Sequence, residues 1–235
     1  MPQKKLIALT LFALAAAISL WLYPVSSTLT KTAFLTSLLG FWIGLYDLCR
    51  KRPWLRGALL SLPLVFAAPF FLPTAPLDKD QLRKDYVQRM LKLADTPYVW
   101  GGENYRGIDC SGLPRRAFRD ALLAHGLTHA EGSSLRKYLE HWWYDASARA
   151  LGEGYRQYTI PLGLSGTIRT LDTSGLHPGD LAVTGDGLHI LAYVSEGRWI
   201  QADPGIGSVA VLEGRTNPNG WFFVPVTLHR WSLLE

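Results

Sequence analysis

Acidic residues are nearly absent from the first third of this 235-residue chain, where Asp47 is the only carboxylate before residue 77. Charged residues make up 18% of the sequence, which is below the roughly 25% typical of soluble domains. Most of that charge follows residue 77. The chain therefore divides into an apolar segment at residues 1–76 and an ordinary globular segment at residues 77–235.

Cysteine is also scarce, because the chain has only Cys49 and Cys110. Two cysteines do not make a disulfide framework. Cys49 ends an apolar run beside basic residues and is interpreted as a residue at a membrane edge. The six histidines are scattered, and with two cysteines they give no zinc-ligand spacing. The sequence predicts no metal and no cofactor.

The formal net charge of +5 comes largely from lysines and arginines that flank apolar runs in the first third. Flanking charge of this kind usually sets membrane topology. The globular segment carries no basic stripe and no nucleic-acid-binding motif. We therefore expect no nucleic-acid partner.

Three apolar runs predict membrane helices at about 6–23, 33–49 and 57–72. The first is long enough to cross a bilayer. A secretory signal is the competing interpretation, but its apolar core would exceed the usual ~7–15 residues and no clear A-x-A site follows. The second and third runs are shorter and contain Gly or Pro, so one or two spans remain the alternative.

The basic residues predict the orientation of these helices. "QKK" and "CRKRPWLR" are expected to stay cytoplasmic, whereas the first loop carries only Lys31. The segment after residue 73 would then lie on the outer face of a bacterial cytoplasmic membrane. The linker "PTAPLDKD" is short, so the globular segment is expected to work close to the lipid bilayer.

Periodicity in the globular segment predicts helices first and strands afterwards. "LDKDQLRKDYVQRMLKLAD" places Leu82, Tyr86 and Met90 on one stripe, and a helix follows "DCSG". A further helix is expected to be capped by Ser133 or Ser134. Beyond residue 155, "DLAVTG", "LHILAYVSEGRWIQAD", "SVAVLEG" and "GWFFVPVTL" are typical of strands. This order predicts an α+β fold with an antiparallel sheet.

The stretch "YVWGGENYRGIDCSG", residues 98–112, places Cys110 just before a predicted helix. Peptide dipoles and free N–H groups at a helix N-terminus stabilise a thiolate. A buried, unreactive cysteine at a helix start is the alternative. The motif by itself does not decide between the two.

A thiolate nucleophile also needs a base that a third group orients. Among the six histidines, only His189 opens a predicted strand, "HILAYV". A three-residue "SEG" loop with Gly197 in the left-handed conformation would set His189 opposite Asp203. Gln201 would then be a diagonal neighbour of His189. A two-residue "EG" turn would instead move Gln201 to the other face of the sheet.

Three segments of the sequence resemble the NlpC/P60 family of cysteine peptidases. "YVWGGENYRGIDCSGL" is similar to its nucleophile motif, and "HPGDLAV" is similar to the entry to its central strands. "GLHILAYVSEGRWIQA" resembles its histidine strand and the next strand, where a third polar residue follows the histidine by about twelve positions. The resemblance covers most of residues 80–203 and implies a papain-like fold of helices packed on an antiparallel sheet.

The resemblance also implies roles for individual residues. Cys110 would be the nucleophile, His189 the base and Gln201 the orienting residue, with Asp203 as the alternative orienter. Gln201 would accept the Nδ1–H of His189 and so fix its tautomer. Tyr98 would help to hold the oxyanion. The substrate-binding residues would be Asp109, Ser111 and Trp100.

The function implied by the family is hydrolysis of amide bonds in peptidoglycan stem peptides through a thioester, at the bond from D-glutamate to a diamino acid. The alternatives are a papain-like amidase, thioesterase or acyltransferase for a lipid-linked substrate, and an inactive wall-binding module. The long segment at 127–170 departs from the family pattern. It is expected to be a helical insertion whose aromatic stripe of Trp142, Trp143 and Tyr144 packs in the core. A wall or lid that narrows substrate choice is the alternative.

Overall fold

The computed structural model of the protein describes residues 2–235. All three apolar runs are helical and begin earlier than predicted. Ser27 accepts the Thr30 N–H and so starts the second helix ahead of its apolar residues, and Pro53 occupies the first turn of the third. The helices are α1 (Gln3–Leu22), α2 (Thr28–Leu48) and α3 (Pro53–Ala67), and a 3₁₀ turn at Ala68–Phe71 extends α3.

Helices α1 and α2 pack together as a hairpin. A methyl group on Gly44 would lie 2.2 Å from the Thr10 hydroxyl oxygen, so the small residue permits close approach of the two backbones. The rings of Trp21 and Phe34 lie 5.6 Å apart at the far end of this contact. Helix α3 buries none of its residues. Each of Gln3–Leu22, Thr28–Leu48 and Pro53–Phe71 is long and apolar enough to cross a membrane.

The globular segment begins with helices, as predicted. Asp78 caps the first of them by accepting the Gln81 N–H. Glu131, rather than Ser133 or Ser134, caps the third, because its carboxylate accepts the N–H groups of both serines. The helices are α4 (Lys79–Leu91), α5 (Gly112–Thr128), α6 (Gly132–Trp143) and the short α7 (Ala148–Gly152).

The strands form a two-stranded ribbon and a six-stranded sheet in the order β3-β8-β4-β5-β6-β7, and every pair in it is antiparallel. The predicted α+β fold, with helices packed on an antiparallel sheet, is confirmed. The ribbon strands are β1 (Glu103–Asn104) and β2 (Gly107–Ile108); the sheet strands are β3 (Thr159–Thr167), β4 (Leu181–Thr184), β5 (Ile190–Ser195), β6 (Arg198–Asp203), β7 (Ser208–Glu213) and β8 (Pro225–Trp231).

The segment at 127–170 is not entirely helical, because it contains strand β3. Pro161 and two glycines obscure that strand in the sequence, and Pro is tolerated because β3 lies at the sheet edge. The aromatic stripe is also not in the core as expected: Trp142 is half-buried and Trp143 is exposed. Part of "GWFFVPVTL" is likewise a 3₁₀ turn, Gly220–Phe223, rather than a strand.

Both faces of the sheet are covered. On one face, α4 and α5 bury Tyr86 and Phe118 against Trp231, and the rings of Phe118 and Trp231 are stacked 4.4 Å apart. The other face is covered by a second apolar cluster that includes Trp199 and Phe222. Since the strands between these layers are held on both sides, their ends provide rigid supports for polar side chains.

The loop between α1 and α2 is hydrogen-bonded to the globular segment. The Ser26 N–H donates to the Gly101 carbonyl oxygen at 2.8 Å, and the Glu103 N–H donates to the Pro24 carbonyl oxygen at 2.9 Å. The end of α3 is also attached, because Arg136 donates to the Leu72 carbonyl oxygen at 3.1 Å. The α1–α2 loop therefore meets the globular segment at the loop that precedes Cys110, and the end of α3 meets it at α6.

Candidate active site

Cys110 lies just before α5 and is 7% exposed. The carboxylate of Asp109 fixes the loop around it by accepting the N–H groups of Gly101 at 2.9 Å and Gly112 at 2.5 Å. A methyl group on Gly112 would lie 2.2 Å from the Gly102 carbonyl oxygen. This part of the motif therefore requires glycine, because two backbone segments approach closely here.

Two of the residues expected to bind substrate, Asp109 and Ser111, instead make hydrogen bonds within the protein. Asp109 makes the backbone contacts just described, and the Ser111 hydroxyl donates to it at 3.0 Å. Trp100 is different: it is 79% exposed at the rim of the cleft. In this structure Asp109 and Ser111 build the nucleophile loop, and Trp100 presents a free aromatic surface.

The Cys110 thiol is not a preformed thiolate. Burial, together with the nearby carboxylate of Asp109, raises its pKa to about 12, although backbone N–H groups at Ser111 and Ile190 act in the opposite direction. The expected stabilisation by the helix N-terminus is therefore outweighed by desolvation. For this thiol to act as a nucleophile, a base would have to take its proton.

His189 is buried and held by a short hydrogen bond. Its Nε2 lies 2.7 Å from Oε1 of Gln201, so Nε2 carries the proton and the amide oxygen accepts it. Sequence reasoning placed this contact at Nδ1, and that assignment is wrong. Nδ1 has no hydrogen-bond partner within residues 2–235, which leaves it as the nitrogen able to accept a proton.

The register that joins these two residues comes from an unexpected hairpin. The turn is the two-residue Glu196-Gly197, with φ of 50° and 76°, and not the predicted three-residue loop. Val194 is an extra, bulged residue in β5. The bulge offsets the shorter turn, so Gln201 remains on the face of His189.

Asp203 supports Gln201 rather than His189. The Gln201 amide donates to the Asp203 carboxylate at 3.4 Å, and the Asn219 amide donates to the same oxygen at 2.5 Å. The Gly205 N–H donates to the other oxygen at 2.7 Å. This arrangement fixes the orientation of the Gln201 amide, with its oxygen towards the imidazole. A hydrogen-bonded chain thus runs from His189 through Gln201 to Asp203.

Trp221 is part of this site and was missed by sequence reasoning. Its ring stacks on the His189 imidazole with centroids 4.1 Å apart and an angle of 14° between the planes. The Asn219 side-chain oxygen positions this residue by accepting the backbone N–H of Trp221 at 3.1 Å. Only the tertiary structure brings this turn over the histidine, and no motif around Trp221 indicates it.

Cys110 and His189 converge but are not hydrogen-bonded to each other. The Cys110 sulfur lies 3.8 Å from the carbonyl oxygen of Leu188, the residue directly before His189. Burial lowers the pKa of His189 to about 4, although Gln201 and Asp203 raise it in part. At neutral pH the resting site thus holds a neutral thiol and a neutral imidazole.

Cys110 opens into a cleft of about 490 Å³. Tyr98 lines it, and burial raises the pKa of its phenol to about 12, so the hydroxyl stays protonated and can donate a hydrogen bond. The segment at 145–149 forms one wall, including the exposed Arg149, and Ser26 of the α1–α2 loop forms part of another. Within residues 2–235, no group of three histidine, cysteine or carboxylate side chains is placed to hold a metal ion.

Helices packed on an antiparallel sheet, with a cysteine at the head of a central helix, define the papain-like class of α+β proteins. The NlpC/P60 family model matches residues 95–221, more than half of the chain. The chain therefore belongs to the NlpC/P60 family, whose members are in general peptidoglycan hydrolases of the cysteine-peptidase type.

Solved structures of the same family are similar to this chain at low sequence identity. The P60 domain of an antigen from Mycobacterium avium subspecies paratuberculosis is 21% identical, over 68% of this chain and 99% of that one, with a TM-score of 0.42. The peptidoglycan hydrolase RipB from Mycobacterium tuberculosis is 21% identical, over 65% and 67%, with a TM-score of 0.40. NlpC1 from Trichomonas vaginalis is 16% identical, over 68% and 46%, with a TM-score of 0.42. No curated protein matches the chain.

Proposed function

We propose that this protein is a membrane-anchored cysteine hydrolase that cleaves the amide bond between D-glutamate and a diamino acid in peptidoglycan stem peptides. The observation that carries the proposal is the buried chain of His189, Gln201 and Asp203 beside Cys110. These hydrogen bonds orient the His189 imidazole and leave its Nδ1 free. His189 directly precedes β5, and Leu188 before it contacts the Cys110 sulfur. An oriented base beside a cysteine supports nucleophilic catalysis by Cys110.

The proposed reaction begins with proton transfer from the Cys110 sulfur to Nδ1 of His189. The sulfur attacks the amide carbon, and the carbonyl oxygen becomes an oxyanion that accepts hydrogen bonds from the Cys110 N–H and the Tyr98 hydroxyl. The C–N bond breaks as the imidazolium returns its proton to the leaving amine, which leaves a thioester. His189 then takes a proton from water, whose oxygen attacks the thioester. The C–S bond breaks, the imidazolium returns its proton to the sulfur, and the product acid loses its own proton to solvent and leaves as a carboxylate.

The cleft also suits an acidic peptide. Arg149 is exposed on the wall formed by residues 145–149, where its guanidinium donates to the Asp186 carbonyl oxygen at 2.9 Å and keeps further N–H groups for a ligand. A stem peptide carries free carboxylates near the scissile bond. An arginine at this position supports the choice of substrate because guanidinium binds carboxylates through two hydrogen bonds.

The membrane anchor is proposed from α1, α2 and α3. The α1–α2 loop and the end of α3 both contact the catalytic domain, as expected if three helices cross a bilayer and the domain lies opposite the N-terminus. The basic residues between α2 and α3 favour the cytoplasm for that loop. The domain would then face the wall side of a bacterial cytoplasmic membrane. A reporter fused after Glu235 that is active only in the cytoplasm would contradict this orientation.

The function is tested with the full-length protein in detergent and a panel of defined stem peptides, whose products are weighed by mass spectrometry. We expect two fragments, one ending in D-glutamate and the other beginning with the free amine of the diamino acid. Peptides that end before the diamino acid serve as the matched control and should remain intact. Fragments from a different bond would contradict the proposed specificity but not the hydrolase activity. The absence of any cleavage would reject the proposed activity.

One observation favours the second candidate, a papain-like amidase, thioesterase or acyltransferase for a lipid-linked substrate. Ser26 lines the cleft of Cys110, and it belongs to the loop that connects two of the proposed membrane helices. The cleft is therefore adjacent to the membrane surface if the helices are inserted. A lipid-linked acyl donor offered beside the stem peptides distinguishes this candidate by the product that forms.

A further inference from the structure

A second cavity, of about 250 Å³, lies between the apolar helices and the catalytic domain; we call it the junction pocket. One side is formed by the end of α1 and the start of α2, and the other by the β1–β2 ribbon and α5. Its aromatic side chains include Trp21, Tyr23 and Tyr105, and its cations are Lys31, Arg106, Arg116 and Arg119.

The charge in and around the junction pocket is unbalanced. Four cations line the pocket, against two lining carboxylates, Glu103 and Asp120; Asp145, which pairs with Lys31, lies outside the lining. Each carboxylate is already paired with a cation of the group. The pairs are Arg119 with Glu103 at 3.1 Å, Arg116 with Asp120 at 2.7 Å and Lys31 with Asp145 at 2.6 Å.

Arg119 is paired with Glu103, but some of its N–H groups have no hydrogen-bond acceptor. It is 5% exposed, and its Nε and one terminal nitrogen have no hydrogen-bond partner. That terminal nitrogen lies 3.1 Å from a carboxylate oxygen of Glu103, but its N–H is not directed at the oxygen as a hydrogen bond requires. Buried guanidinium N–H groups without acceptors are costly. Arg106, which is exposed on the ribbon, is in no ion pair within residues 2–235.

The pocket lies at the depth of lipid headgroups if the anchor is inserted as proposed above. Helix α1 ends at Leu22 and α2 begins at Thr28, so the connecting loop marks the membrane surface. Trp21 and Tyr23 are both exposed there, as aromatic residues at a membrane interface usually are. The mouth of the pocket is therefore apolar on the membrane side and cationic on the domain side.

We infer that the junction pocket binds the phosphate group of a membrane lipid, with Arg106, Arg116 and Arg119 as donors. Guanidinium groups match phosphate oxygens in charge and geometry. The apolar helix ends would contact the lipid chain. The inference rests on the proposed anchor and is independent of the reaction at Cys110.

Two lipids could supply such a phosphate. One is an anionic phospholipid of the bilayer, and the other is a polyprenyl phosphate that carries a peptide. Ser26 lines both the junction pocket and the cleft of Cys110, so the two cavities adjoin. A lipid that carries a peptide could therefore occupy both, whereas a phospholipid would occupy only the pocket.

The test uses the full-length protein in a neutral detergent, to which phosphatidylglycerol, polyprenyl phosphate or inorganic phosphate is added. We expect at least one of the two lipids to raise the unfolding temperature and to remain bound in native mass spectrometry. Arg106→Gln is expected to weaken that binding about tenfold, since it removes one charge-assisted contact. The effect of each lipid alone identifies the source of the phosphate.

The matched control is Arg215→Gln, which makes the same change in charge at an exposed residue that does not line the pocket. Arg106→Gln and Arg215→Gln should unfold at the same temperature when no lipid is added. Equal loss of lipid binding in both variants would reject the pocket in favour of nonspecific attraction. Failure of both lipids to bind the wild-type protein would also overturn the inference, whatever the result of the peptide assay.

Discussion

Cys110→Ala is expected to lower kcat/KM for stem-peptide cleavage by about 10⁴-fold or more, as removal of a nucleophile from a catalytic set does. The variant removes only the sulfur that forms the thioester. The protein's fold should be maintained, because the loop is held by hydrogen bonds from Gly101 and Gly112 to Asp109 and not by the cysteine. Initial rates with the full-length protein measure the effect.

Cys49→Ala is the matched control for this variant. Cys49 caps the end of α2, whereas Ser26 and the cleft lie beside the start of that helix. We expect its activity to equal that of the wild type. Wild-type turnover by Cys110→Ala would eliminate the thioester mechanism, and equal losses in both variants would indicate a general effect of cysteine replacement.

Gln201→Ala is expected to lower kcat/KM by about a hundredfold, because His189 would lose the acceptor that fixes its tautomer and orientation. Asp203→Asn should have a smaller effect, about tenfold, since it weakens the contact that orients the Gln201 amide but leaves the hydrogen bond between Gln201 and His189 in place. Gln201 also raises the pKa of His189. The Gln201 variant should therefore shift the acidic limb of the pH profile of kcat/KM to lower pH, which a merely structural role would not do.

The double variant separates the two roles. If Asp203 acts through Gln201, the combined loss should be no greater than that of Gln201→Ala alone. Unfolding temperatures of all three variants control for damage to the turn that Asp203 holds through Gly205. A large loss with Asp203→Asn and none with Gln201→Ala would instead make Asp203 the orienting residue.

The sequence correctly predicts those features of the fold that depend on local signals. The stripe of Leu82, Tyr86 and Met90 predicts α4, and all three side chains are buried. The order of helices and strands predicts the α+β fold, and the motifs indicate the family. These features follow from periodicity and from backbone requirements such as the close approach at Gly112, which act over a few residues.

The sheet register shows the limit of such reasoning. The predicted pairing of Gln201 with the face of His189 is present, but for a different reason: a two-residue turn is offset by the bulge at Val194. A bulge depends on how the strand packs on both faces of the sheet, which hairpin rules alone do not include. Strand β3 was missed for a similar reason, because its pairing with β8 outweighs its own weak propensity.

The sequence by itself determined the apolar helices, the catalytic fold, the family and the segments that carry Cys110 and His189, because each is encoded by residues that are close together in the chain. Only the tertiary structure decided that Nε2 of His189 binds Gln201, that Trp221 covers the imidazole and that Ser26 of the α1–α2 loop lines the cleft. Burial also decided that the thiol is protonated at rest. These features depend on residues far apart in sequence and on desolvation, and both are set only when the chain is packed.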